Sequence, residues 1–168
     1  MVAFSYRMPA GIPGEVNRIN SAKIEAQIVT PAGTTGAPSQ YGLAMVVDNT
    51  GGNVGNMRVA SASDTAIYGF LVRPFPTGAS QDQLGTSTPP ASGIIDIMRS
   101  GYMLLKLGGV TAAAKGGQVY IYVTTTDANN PIVGGIAAAS STSAIAVPNC
   151  IFMGPADTSN FVEIAFNI

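Results

Sequence analysis

The sequence has no histidine, no tryptophan and a single cysteine, Cys150. Without histidine the chain lacks the commonest general base, the commonest metal ligand and the Ser–His and Cys–His nucleophile pairs. One cysteine excludes an internal disulfide. Because Cys150 lies in the apolar stretch AIAVPNCIFMG, we expect a buried and unreactive thiol. These absences predict a protein that is not an enzyme and that carries no cofactor or metal.

Charge is also scarce. Charged residues make up 10% of the 168 residues, against about 25% in typical soluble domains. The net charge is −1 and no two of the eight lysines and arginines are adjacent, which argues against a nucleic-acid partner. No apolar run approaches the roughly 18 to 20 residues of a membrane span, so we predict no membrane association. The first residues lack the apolar core of a secretory signal, which predicts synthesis in the cytoplasm.

What the sequence does contain is short β patterns separated by turn residues, with 20 glycines and 11 prolines. Alternation predicts that Val119, Ile121 and Val123 share one face of a strand, and that Val162, Ile164 and Phe166 share one face of another. Ser100-Gly101 predicts a sharp bend or bulge rather than one long strand. The clearest strand segments are 41–48, 67–73, 93–100, 102–107, 118–125, 144–154 and 161–168. We therefore predict an all-β fold, a jelly-roll-like sandwich or a β-barrel.

The N-terminal segment differs from the rest of the chain. Five of the 17 charged residues fall within the first 25 positions, and Pro9, Gly11, Pro13 and Gly14 interrupt any regular pattern there. Prolines and glycines of this kind are poorly tolerated inside a sheet. We expect this segment to stay out of the chain's own sheet and to form an extended arm over residues 1–25, followed by a single all-β domain over residues 26–168.

The nine acidic residues leave one catalytic hypothesis open, a pair of carboxylates that hydrolyses a glycoside. Most of these acids precede or occupy turn motifs, as Asp48 does before NTGG and Asp157 does in PADTSN. Turn formation by aspartate explains such positions without catalysis. The stretch DNTGGN also lacks the further acids of a calcium loop, and we predict a hairpin turn there.

Three blocks of the sequence resemble tailed-bacteriophage capsid cement (head decoration) proteins. The pattern PGEVNR is followed closely by IEAQ and later by YGFLVRP, and the similar blocks are residues 4–31, 67–78 and 118–168. The resemblance implies a structural virion protein with a jelly-roll or barrel body that associates as a dimer or trimer. It implies that the protein binds the outer surface of the head, where its partner is the major capsid protein, and cements neighbouring capsomers.

The arm supplies most of the residues that we expect at the contact with the capsid or with a neighbouring copy. Arginine and aromatic side chains are enriched at interfaces, which adds a strand-end pair from the motif FLVRPFPTG. The predicted partner-binding residues are Pro9, Ile12, Pro13, Val16, Asn17, Arg18, Arg73 and Phe75. An alternative function is a tail- or fibre-associated module that recognises host-surface glycan. It would need exposed aromatic residues in a cleft or loop, for which the six tyrosines are the supply, and four of these lie within strand patterns: Tyr41, Tyr68, Tyr120 and Tyr122.

Overall fold

The computed structural model describes residues 11–31, 33, 35–74, 88–90, 92–124 and 132–168. These residues form ten strands and two short 3₁₀ helices, Ile19–Ser21 and Gly51–Asn53, so the predicted all-β fold is confirmed. The strands are β1 (Glu15–Val16), β2 (Lys23–Val29), β3 (Ala44–Val47), β4 (Met57–Val59), β5 (Gly69–Leu71), β6 (Gly93–Lys106), β7 (Gln118–Tyr122), β8 (Ile136–Ala137), β9 (Ala144–Phe152) and β10 (Phe161–Phe166).

Five of the strands close into a small barrel. The order of pairing is β2, β4, β3, β5, β6 and back to β2. Each strand contributes at least one fully buried side chain to a common apolar cluster: Val29, Met45, Met57, Leu71 and Ile97. The interior of so small a barrel is filled by side chains. The barrel predicted as one alternative from the sequence is therefore present.

The second half of β6 continues into another sheet, in the order β6, β10, β9, β7, β8. The largest apolar cluster joins this sheet to the barrel, and within it the rings of Phe70 and Phe166 meet edge to face at 5.3 Å. The predicted alternation is confirmed in both strands, because the inward residues of β7 and β10 are all buried in this cluster. The fold thus combines a barrel with a sandwich-like layer.

Strand β6 corrects one prediction from the sequence. It is a single strand of 14 residues, not two strands interrupted at Ser100-Gly101. The expected bulge is present inside it: Lys23 faces Ser100 and Ile24 faces Met98, so Arg99 is the extra residue. Gly101 has φ +136°, and a side chain there would press on Ala22 at 3.0 Å. Glycine and bulge redirect the strand from the barrel to the second sheet without breaking its hydrogen bonding.

Candidate interface

The described part of the N-terminal segment lies on the chain's own sheet. β1 pairs antiparallel with β6, and β2 pairs with β6 over its whole length. The expectation that proline and glycine keep residues 11–25 out of the sheet is therefore wrong for this part of the segment. The predicted boundary between residues 25 and 26 falls inside β2. Pro13 and Gly14 come just before the paired residues, which is where a strand tolerates them.

Gly14 fixes the position of the segment. Its N–H donates to the Leu104 carbonyl at 2.8 Å, and its carbonyl accepts from the Arg73 N–H at 2.8 Å. The residue has φ +86°, and a Cβ atom there would come within 2.8 Å of the Tyr41 Cβ. Glycine is required both by this conformation and by the close approach of the two backbones. As a result, two parts of the predicted site, the arm and Arg73, are neighbours in the fold.

Asn17 and Arg18 bind the body of the same chain. The Asn17 amide donates to Glu163 Oε1 at 3.2 Å, and Arg18 Nη2 lies 3.2 Å from Glu163 Oε2. The Arg18 guanidinium also stacks 3.9 Å above the centre of the Tyr102 ring. Half of the Arg18 side chain remains exposed, and pairs with that exposure contribute about 1 kcal/mol or less. The ion pair of Arg18 with Glu163, called here the Arg18 latch, can therefore break at little cost in stability.

The remaining predicted residues have different surroundings. Val16 is half-buried and packs against the main core, and Ile12 and Pro13 are half-buried. Arg73 is half-buried, with its guanidinium 5.7 Å from the centre of the Tyr41 ring. Asn17 and Arg18 are the exposed members of the predicted set among the described residues. Pro9 and Phe75 lie outside the described residues.

The barrel carries an exposed apolar surface that was not predicted from the sequence. Ile24, Ala26 and Ile28 are all exposed on β2, and Ile94, the cross-strand partner of Ile28, is 74% exposed. These four residues are called here the β2–β6 apolar face. The alternation in the stretch KIEAQI carried the signal, because it places Ile24, Ala26 and Ile28 on one side of a strand. It did not show that this side is exposed.

Three charged side chains near the β3–β4 hairpin, Asp48, Arg58 and Asp64, form a network of hydrogen bonds and ion pairs. Asp48 is 2% exposed and accepts hydrogen bonds from the Thr50 hydroxyl at 2.6 Å and the Thr50 N–H at 3.0 Å. The Thr50 hydroxyl lowers the pKa of Asp48 against the opposing effect of burial. Arg58 holds Asp64 through two bonds of 2.7 and 2.8 Å. The predicted hairpin turn at DNTGGN is confirmed, since β3 and β4 pair antiparallel across it.

Two other sequence expectations concern reactive and sugar-binding groups. Cys150 is buried as predicted, and burial raises the pKa of its thiol well above the ordinary value. Tyr41 and Tyr122 are buried, and Tyr68, Tyr102 and Tyr120 are half-buried. Within the described ranges, then, every tyrosine is buried or half-buried, and arginine guanidinium groups lie over the rings of Tyr68 and Tyr102. Neither a cluster of three potential metal ligands nor a helix able to cross a membrane occurs in the same ranges.

The comparisons with known proteins point to a component of a phage capsid. A model of the family described as XM1 gp53 minor capsid protein matches residues 1–166. The chain therefore belongs to the XM1 gp53 minor capsid protein family, and its role is that of a structural protein of the virion. This confirms the phage-capsid resemblance of the sequence.

The fold is also found in a solved structure titled "The capsid of Myoviridae Phage XM1". The two chains superpose with a TM-score of 0.69 over 99% of this chain and 98% of the other, at 19% identity. No curated protein matches the sequence.

Proposed function

We propose that this chain is a cement protein that binds the outer surface of the major capsid protein lattice as a dimer or trimer and bridges neighbouring capsomers. The observation that carries the proposal is the match of the minor capsid family over residues 1–166, which includes the N-terminal segment together with the body. The low charge of the chain supports it, because a surface with 10% charged residues repels neighbouring subunits weakly.

The N-terminal segment is the proposed contact. Asn17, Arg18 and Ile19 form an exposed stretch on the outside of β6 and β10, with Ile19 65% exposed. Because the Arg18 latch is exposed, a carboxylate or carbonyl of a capsid subunit can replace Glu163 as its acceptor. Residues 1–10 and Arg73 and Phe75 complete the proposed contact with the capsid or a neighbouring copy.

Binding to heads that lack this protein tests the proposal. Purified full-length chain is mixed with such heads, and bound copies per head and the midpoint of thermal disruption of the heads are measured. We expect saturable binding and a higher midpoint. Saturable binding that leaves the midpoint unchanged would contradict cementing, and failure to bind would contradict capsid association. A cryo-EM map of the decorated head then checks the outer-surface position.

Two variants locate the contact. Ile19→Asp, in the exposed stretch, should weaken binding, and Arg18→Ala should weaken it about tenfold, the effect of one charge-assisted hydrogen bond of about 1.4 kcal/mol. Lys115→Ala, at an exposed position away from the segment, is the matched control. If both N-terminal variants bind with wild-type stoichiometry and affinity, the contact lies elsewhere on the protein.

A further inference from the structure

We propose that the edge of β2 and the β2–β6 apolar face accept residues 2–8 of a second copy of this chain as an added strand. The contact would join copies to one another and is separate from the contact with the capsid lattice. It does not depend on cementing, since it can be tested in the absence of heads.

One edge of β2 is almost unpaired within the described residues. Over residues 23–28, β2 pairs with β6 on one side. On the other side of β2, the described residues provide one pairing, between Val29 and Met57. The next residue, Thr30, adds a backbone hydrogen bond from its N–H to the Met57 carbonyl at 2.9 Å. Within the described residues the edge is otherwise unpaired, and an open edge of this length invites pairing with another chain.

The β2–β6 apolar face lies beside that edge. Ile28 and Ile94 are direct cross-strand partners, 56% and 74% exposed, and Ala26 and Ile24 continue the same side of β2. Other exposed apolar side chains, such as Val54 and Val110, occur in loops, where single exposed residues are ordinary. Asp96, the cross-strand partner of Ala26, is the charged residue on this side of the pair. The apolar face and the adjacent edge, unpaired within the described residues, together provide both parts of a strand-addition site, the side-chain contacts and the backbone groups.

The start of the chain has the side-chain pattern of a strand that could occupy this site. Residues 2–8, VAFSYRM, place Val2, Phe4, Tyr6 and Met8 on one side of an extended chain, with the smaller or charged residues on the other. This strict alternation is typical of a strand that covers an apolar surface on one side. The segment therefore has the side-chain pattern that the β2–β6 apolar face requires.

The distance between Gly11 and the β2–β6 apolar face favours a segment from a second copy over one from the same chain. Gly11, the first described residue, sits against Leu104, which lies ten residues beyond Ile94 in β6. At about 3.3 Å per residue this separation is on the order of 30 Å. Tyr6 can extend at most about 18 Å from Gly11, and Met8 about 11 Å. Because β6 changes direction at its bulge, this 30 Å is an upper limit. A neighbouring copy, whose segment has no such limit of reach, is the favoured source of the strand along Ile24 to Ile28.

Disulfide trapping between two singly substituted proteins tests this proposal, because mixing them detects contacts between copies alone. Phe4→Cys is mixed with Ile28→Cys under mild oxidation, and the species of twice the chain mass is quantified. We expect this linked species to form at least tenfold faster than in two matched mixtures. Ser5→Cys with Ile28→Cys tests which side of the added strand faces Ile28, and Phe4→Cys with Val110→Cys tests whether another exposed surface serves equally well. The native Cys150 is buried, and unsubstituted protein shows its background.

Equal rates in the three mixtures would overturn the proposal. A disulfide that forms only when Phe4→Cys and Ile28→Cys are in one chain would also overturn it, since that places the segment on its own copy. A disulfide from Ile28→Cys to the major capsid protein on heads, in place of a second copy, would overturn it as well. Sedimentation gives an independent measurement. Deletion of residues 1–8 and Ile28→Asp should each reduce the particle mass to that of a monomer, while Val110→Asp leaves it unchanged; a wild-type mass in the first two variants would also overturn the proposal.

Discussion

Replacing Arg58 should destabilise the barrel more than any other single change of a charged residue near the β3–β4 hairpin. The Arg58 guanidinium makes two hydrogen bonds to Asp64 and one to the Ser61 hydroxyl, and its Nε lies 3.8 Å from Asp48. The Arg58 side chain is 16% exposed and Asp64 is 14% exposed. Removing the cation leaves two largely buried carboxylates without their neutralising partner, which is the costly way to break an ion pair.

We expect Arg58→Met to lower the free energy of unfolding by about 3 kcal/mol. Breaking a fully buried pair costs about 3 to 5 kcal/mol, and the partial exposure of this pair places it at the lower end. Urea unfolding measures the change, provided that the slope with urea is unchanged. Lys115→Met, at an exposed site, should stay within about 0.5 kcal/mol of wild type. A loss below about 1 kcal/mol for Arg58→Met would refute the network as a stabilising element.

The pH dependence gives a second check on the same network. Burial alone would raise the pKa of Asp64, but the hydrogen bonds from Arg58 and Ser61 lower it, and the pKa of Asp48 is lowered as well. Both carboxylates therefore contribute stability above the ordinary pKa of about 3.9, and that contribution is lost as the pH falls through their lower folded values. Without Arg58 the pKa of Asp64 rises. The stability difference between wild type and Arg58→Met should therefore narrow from about pH 5 to pH 2.

The remaining predictions concern packing and reactivity. Gly14→Ala should lower the free energy of unfolding by about 2 kcal/mol or more, because Gly14 has a positive φ and its new Cβ would press on Tyr41. The control is Gly52→Ala, which should be near neutral because no atom lies within 4 Å of the new Cβ. Equal effects of the two substitutions would refute the steric argument. Phe70→Ala should cost about 3 to 5 kcal/mol by chemical denaturation, since its ring is fully buried, and a loss under about 1 kcal/mol would contradict its place in the core. Cys150 should react with a thiol reagent at pH 8 only as the protein unfolds, and labelling of the folded protein at the rate of a free thiol would contradict its burial.

Local patterns predicted those features that depend on neighbours in the sequence. The alternation around Ile121 and Ile164 gave both the strands and the side that faces the core, because side chains of a strand alternate with a period of two. The position of Cys150 in an apolar run gave its burial. The bulge next to Gly101 was also expected, but its effect on β6 was not. Whether a glycine ends a strand or bends it depends on the hydrogen-bond partners on either side, which the local sequence does not contain.

The N-terminal segment shows the same limit at the candidate site. Its prolines and glycines were interpreted as excluding it from the sheet, yet the chain after Pro13 and Gly14 pairs with β6. Arg18 was predicted to contact a partner, and in the described fold its guanidinium binds Glu163 of the same chain, 145 residues away. A contact across that distance in sequence has no local pattern. The role of Arg18 toward a partner remains a prediction.

The sequence by itself determined the fold class and the scarcity of chemical groups, since both follow from composition and from a repeat of two residues. Tertiary structure alone decided that β2 closes a barrel by pairing with both β4 and β6, that Arg73 meets Gly14, and that Ile28 and Ile94 together form an exposed face. These features depend on register between strands far apart in the chain. Register is set by the summed burial and hydrogen bonding of the whole sheet, and no single segment encodes it.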